Sequence, residues 1–127
     1  MRTHRGIDAR SLAMAQAIAK IIDADPARSG LEKARNICNR WVAMGNAGKD
    51  NWDWQATLQL DWPHIRSVLL NPSEDGNRLR QSSPFIGILS KDERAAIYME
   101  YAERDAAGEF PYIIKDQSAD TDTKFPG

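Results

Sequence analysis

A chain of 127 residues holds enough material for one hydrophobic core and is short for two ordinary domains. Apolar residues make up 42% and charged residues 28%, the balance of an average globular protein, which excludes wholesale disorder. The formal net charge of -1 leaves no global field to draw in nucleic acid or anionic lipid.

Charge is nevertheless uneven. Arg2, Arg5 and Arg10 lie near the start, and Glu109, Asp116, Asp120 and Asp122 near the end. Residues 1–7 read as a basic N-terminal arm, 8–108 as a helical domain, and 109–127 as a tail that docks in part and is then mobile. The arm is either solvated or in contact with phosphate or an acidic surface. The opening MRTHRGIDAR is polar and precedes no signal-like apolar core, so no signal peptide is expected. Gln16 and Lys20 interrupt the apolar run after Leu12, which is short of a membrane span. Cys38 is the only cysteine, which rules out an internal disulfide and fits a reducing cytoplasm.

The first helix is predicted over residues 8–25, with Leu12, Ala15, Ile18, Ala19 and Ile22 on one face and Pro26 as its stop. Ser29 and Glu32 have capping-box spacing and open a second helix. Its stripe is Leu31, Ala34, Ile37, Cys38, Trp41 and Val42, with Gly45 or Gly48 at its end. Residues 50–60 form a short helix presenting Trp52, Trp54 and Leu58. Asp61 caps the next one through Leu70, burying Trp62, Ile65 and Leu69, with Val68 beside them and Arg66 off the stripe. Ser73 starts a further short helix whose strong apolar residue is Leu79. Residues 85–89 read as a buried connector, since a lone strand would have no partner. Ser90 and Glu93 repeat the capping-box spacing and open a helix through about Ala107, carrying Ala95, Ala96, Tyr98, Met99 and Ala102 and stopped by Gly108. Phe110, Tyr112, Ile113 and Ile114 are expected to dock on the body. The fold class is all-α: a compact bundle of about five helices, some of them short.

Motifs for chemistry are missing. The two histidines, His4 and His64, lie far apart, and no HExxH, CxxC or EF-hand pattern occurs, so no metal is expected. The eight glycines form neither GxxxxGK[ST] nor GxGxxG, so no nucleotide cofactor is expected either. Cys38 falls on an apolar stripe, where a thiol packs as a small hydrophobe with a raised pKa. Asp50 and Asp53, and Glu74 and Asp75, sit at helix starts, where capping and the macrodipole account for acids. No residue is assigned a catalytic role.

Two stretches depart from a plain bundle. Four tryptophans, Trp41, Trp52, Trp54 and Trp62, fall in a short central span. They form either a core cluster or an interface anchor, and the spacing of Trp52 and Trp54 points them in different directions on a helix. The other stretch runs from Arg78 through Arg80, Gln81, Ser82 and Ser83 to Phe85. This dense set of donors either binds a carboxylate, a phosphate or an RNA loop, or ties a breaking loop to helix ends. The candidate binding residues are therefore Trp52, Trp54, Arg78, Arg80, Gln81 and Ser82.

The segments RSLAMAQAIAKIIDADP, ARNICNRW and RLRQSSPFIGILSKDER resemble a group of small bacterial helical proteins with no assigned activity. The resemblance spans residues 8–104 and implies a bacterial origin and a small module paired with a neighbouring toxin. It assigns no functional residue. The leading expectation is a protein-interaction module, an antitoxin-like or immunity-like inhibitor or an adaptor, whose partner is another protein. Nucleic-acid binding through Arg35, Arg40, Arg78 and Arg80 is the alternative, and an enzyme uniting Arg78, Arg80, Ser82, His64 and an acid is the third. Assembly with a second copy stays open, and no membrane partner is expected.

Overall fold

The computed structural model describes residues 4–45 and 48–110. Among these residues the chain is helical throughout, with no strand: α1 (His4–Asp23), α2 (Ser29–Ala43), α3 (Lys49–Thr57), α4 (Trp62–Leu69), α5 (Glu74–Arg80), a 3-10 turn (Ile86–Ile88) and α6 (Lys91–Ala106). None of these helices is long and apolar enough to cross a membrane.

α1 is the axis of the fold, touching α2, α4, α5, α6 and the 3-10 turn. Its buried side chains are Met14, Ala15, Ile18, Ala19 and Ile22, the three-and-four spacing that gathers one helical face. The helix begins at His4, earlier than the sequence indicates, so residues 4–7 lie in its first turns. Gly6 faces α6 so closely that a Cβ there would lie 2.7 Å from an Asp105 carboxylate oxygen.

α2 starts differently from its expected capping box. Asp25 accepts the backbone N–H of Ala27 (3.0 Å) and of Ser29 (2.9 Å) and also the Ser29 hydroxyl. Ser29 is thus the first helical residue and donates its hydroxyl backwards, and it is Asp25 rather than Ser29 that accepts a free N–H of the first turn. Arg28 precedes it in the left-handed region, at φ 51°. Leu31, Ala34 and Cys38 are buried as expected, and burial pushes the Cys38 thiol pKa up. Gly45 closes the helix at φ +80°, its N–H bound to the Val42 carbonyl.

The short central helices follow the sequence more closely. Asp61 accepts the His64 N–H at the start of α4, and Trp62, Ile65 and Leu69 are buried. Ser73 accepts the Gly76 N–H and opens α5. Gly76 has a packing role: a Cβ built there would stand 2.0 Å from the Asn71 carbonyl oxygen, part of the backbone. Phe85 and Leu89 anchor the connector in the core, while Ile86 between them is exposed.

At α6 the capping box is complete. The Ser90 hydroxyl accepts the Glu93 N–H, and the Glu93 carboxylate accepts the Ser90 N–H. The packed face differs from the expected stripe. Ala95, Ala96, Tyr98 and Met99 are exposed, and the half-buried Ile97, Tyr101 and Ala102 turn inward. Ile97 packs against the core, while Gly6 and Arg10 of α1 meet α6 at Asp105 and Tyr98. No α6 residue is fully buried. Phe110 stacks on Tyr101 with ring centroids 6.0 Å apart. The expected docking of Tyr112, Ile113 and Ile114 lies outside the described residues.

Gly76→Ala is expected to destabilise by about 1–3 kcal/mol, because the new methyl must displace backbone. Equilibrium urea unfolding checks this, and an unchanged midpoint would refute the close approach.

Candidate functional site

The tryptophans divide between core and surface. Trp54 is 0% exposed; its Nε1–H donates to the Leu79 carbonyl at 2.7 Å, and its ring meets Phe85 edge-on at 5.7 Å. Of the candidate binding residues, Trp54 thus has its ring under α3 and its one donor taken. Trp62 is also buried, with its Nε1–H on the Asp23 carboxylate at 2.8 Å, and Trp41 is half-buried. Trp52 is the exception, 53% exposed on the outer face of α3. Lys49 and Ala56, one turn to either side, are exposed with it. Met44, just before the turn that leads to α3, is 65% exposed.

Arg78 is held by carboxylates. It reaches Asp50, Asp53 (3.2 Å) and Asp75 (2.8 Å), while Lys49 pairs with Asp53 at 2.8 Å. The Ser82 hydroxyl donates to Asp50 at 3.4 Å, so the same network ties the loop after α5 to α3. The hydrogen bonds that Arg78 donates to Asp75, Asp50 and Asp53 push its pKa up and fix its charge. The three acids converge on a guanidinium, and among the described residues no group of His, Cys, Asp and Glu side chains is arranged to hold a metal ion.

Arg80 serves a different end. It is only 7% exposed. Its Nη1 donates to the carbonyls of Leu69 (3.0 Å) and Asn71 (2.6 Å), its Nε to the Ser11 hydroxyl (3.1 Å), and its Nη2 to the Asn77 amide oxygen. The carbonyls it serves lie at the end of α4, where a helix has acceptors without partners. Of the candidate binding residues, Arg78 and Arg80 thus spend most of their donors on α3, α4 and α5, and a seven-residue helix needs tethers beyond its own backbone bonds. Gln81 is exposed and stands beside a cleft of about 180 Å³ between α1, the loop after α5 and α6. Arg10, Ser83 and Tyr98 line that cleft as well, and no sequence pattern marks them as a group.

Other arginines repeat the role of Arg80. Arg28 donates to the Ile22 carbonyl at 2.8 Å, and Arg35 to the Leu58 carbonyl at 2.8 Å. Arg66 pairs with Asp23 at 3.0 Å. Of the arginines named for phosphate contact, Arg40 alone is classed as exposed. His64 sits on the outside of α4 against Asp61.

No protein-family model, no curated protein and no solved structure matches this chain.

Asp23 is held below the ordinary carboxylate range by the Trp62 N–H and then by Arg66, and Asp53 by Lys49 and, more weakly, by Arg78. A carboxyl depressed in the fold stabilises it above the unfolded pKa, and that contribution is lost as pH falls through the lower folded value. The melting temperature is therefore expected to hold from neutrality down to the carboxylate range and to fall below about pH 4. Asp23→Asn should flatten part of that acid slope in thermal unfolding across pH; an unaltered slope would remove Asp23 from the account.

Proposed function

We propose that this protein is a protein-interaction module, an antitoxin-like or immunity-like inhibitor or an adaptor of bacterial origin, anchored on its partner by Trp52. One observation carries the reading: a tryptophan 53% exposed on α3, next along the chain but one to a tryptophan that is completely buried. The core uses Trp54 fully and leaves the Trp52 ring outside. A large, stiff ring contributes more on desolvation than any other side chain at an interface, and tryptophan is enriched among the residues that dominate binding. Lys49 and Ala56 flank it, giving a small apolar platform with a polar edge.

A protein partner is favoured over nucleic acid by what the arginines do. Arg35, Arg78 and Arg80 spend donors on carbonyls and carboxylates inside the molecule, which leaves few for phosphates. The net charge of -1 points the same way. The enzyme reading gains no residue set, since Arg78 and Arg80 act as tethers and His64 faces solvent beside Asp61.

Affinity capture from a bacterial lysate with the wild-type chain and with Trp52→Ala tests the proposal. The substitution lies on the surface, so the melting temperature should stay put, within about 0.5 kcal/mol of stability. A partner retained in stoichiometric amount by the wild type should be lost, with affinity reduced on the order of thirtyfold or more. Equal retention by both chains, or no stoichiometric partner for the wild type, contradicts it.

A further inference from the structure

We infer that the cleft between α1, the loop after α5 and α6 is the docking site of the chain's own segment after Phe110, with Ile113 and Ile114 as the side chains that enter it. The cleft measures about 180 Å³, and its lining is more apolar than polar, with Met14, Ile86 and Tyr98 among the residues that form it. A smaller cavity of about 40 Å³ shares Met14 and Ile86 with it and reaches the buried Ala15, Ile18 and Leu69. The floor is thus the hydrophobic core itself, reached where Ile86, 39% exposed, stands between the anchored Phe85 and Leu89. Trp52 takes no part in it, so this docking stands or falls separately from the interaction proposed above.

The direction of the chain is the first reason. α6 ends in a Schellman motif: Gly108 takes φ +83°, its N–H bonds to the Asp105 carbonyl, and the Glu109 N–H bonds to the Arg104 carbonyl, both at 3.0 Å. The Arg104 guanidinium pairs with Glu109 and lies over the rings of Tyr101 and Phe110, at 4.6 and 5.2 Å, which holds the reversal in place. Phe110 stacks on Tyr101, so the chain has already turned back along α6. Tyr98 is one turn further back on the same face, and the cleft lies there, because α1 runs antiparallel with Gly6 at Asp105 and Arg10 over Tyr98. That turn is about 4.5 Å of helix axis and an extended residue covers about 3.3 Å, so two residues past Phe110 reach Tyr98. Ile113 and Ile114 then fall at Ile86 and Met14.

What the segment is made of is the second reason. Pro111 lacks an N–H and disfavours a helical Phe110, which suits an extended segment. Tyr112, Ile113 and Ile114 follow as consecutive apolar side chains, whereas from Asp116 to Lys124 the sole apolar residue is Ala119. No residue of α6 is fully buried, so the helix lacks the apolar cover that α1 has. An apolar strap between α6, α1 and the 3-10 turn supplies that cover, and removing isoleucine side chains from water favours it. The tether to Phe110 also raises the effective concentration of the segment to roughly the millimolar range, which favours it over a second copy as the occupant.

Nuclear Overhauser spectra of the full chain, labelled at isoleucine and methionine methyl groups, test this. Contacts are expected from the Ile113 or Ile114 methyls to those of Ile86 or Met14, with intensities independent of protein concentration. Ile86→Asp puts a charge in the cleft wall and should move the Ile113 and Ile114 methyl shifts to the values of an unstructured peptide. Met99→Asp makes the same change of net charge at an exposed position of α6 outside the cleft and should leave those shifts in place. Contacts seen only between differently labelled chains in a mixture mean that a second copy fills the cleft, and overturn the inference. Unstructured-peptide shifts for Ile113 and Ile114 in the wild type, or shifts that Ile86→Asp leaves unchanged, overturn it as well.

Discussion

The helices that build this protein's centre are short, and every helix ends in carbonyls that its own backbone cannot satisfy. α3, α4 and α5 span 9, 8 and 7 residues, so their unsatisfied ends are a large share of their length. Arginines from elsewhere in the chain supply the missing donors. Arg80 closes the end of α4 through Leu69 and Asn71, Arg35 serves Leu58 and Leu60 after α3, and Arg28 serves Ile22 and Asp23 at the end of α1. A long, stiff, always-charged fork is suited to this, since one guanidinium can serve two carbonyls at once. Arg80 does most, because it also joins α1 through Ser11 and lies almost wholly inside.

This use of arginine shapes what is left for function. Arg78 is surrounded by Asp50, Asp53 and Asp75, and its ion pairs, about one-third exposed, fasten α3 to α5. Residues that look like a recognition cluster in the sequence are therefore largely the frame. Trp52 remains exposed on the outer side of α3. α6 itself is held by its capping box, by the close approach at Gly6 and by the Arg10–Tyr98 stack, with no fully buried side chain.

Much of the fold was legible because it is local. The buried face of α1, the Asp61 cap, the buried set of α4, the Ser73 start and the Ser90–Glu93 box all depend on residues within one or two turns of each other. The failures share a different cause. The Ser29–Glu32 spacing was right for a capping box, but Asp25, placed by the turn after Pro26, took the Ser29 hydroxyl first. On α6 the half-buried residues are Ile97, Tyr101 and Ala102, of which Ala102 alone belongs to the expected stripe. For the candidate site, the spacing of Trp52 and Trp54 did indicate that they face different ways. Which of them faces the core depends on Leu79 and Phe85, 25 or more residues away, and no local pattern carries that. Likewise Arg80 and the carbonyls of Leu69 and Asn71 meet only once α4 and α5 fold together.

The claim that a buried arginine completes α4 and holds it to α1 is open to a direct measurement. Arg80→Met keeps an unbranched side chain of similar reach and removes every donor, leaving the Leu69 and Asn71 carbonyls unserved. Equilibrium unfolding followed by tryptophan fluorescence should show a loss of about 2–5 kcal/mol, the range for buried acceptors left without partners. Stability equal to or above that of the wild type would contradict the account, for it would show that the end of α4 does not need the guanidinium.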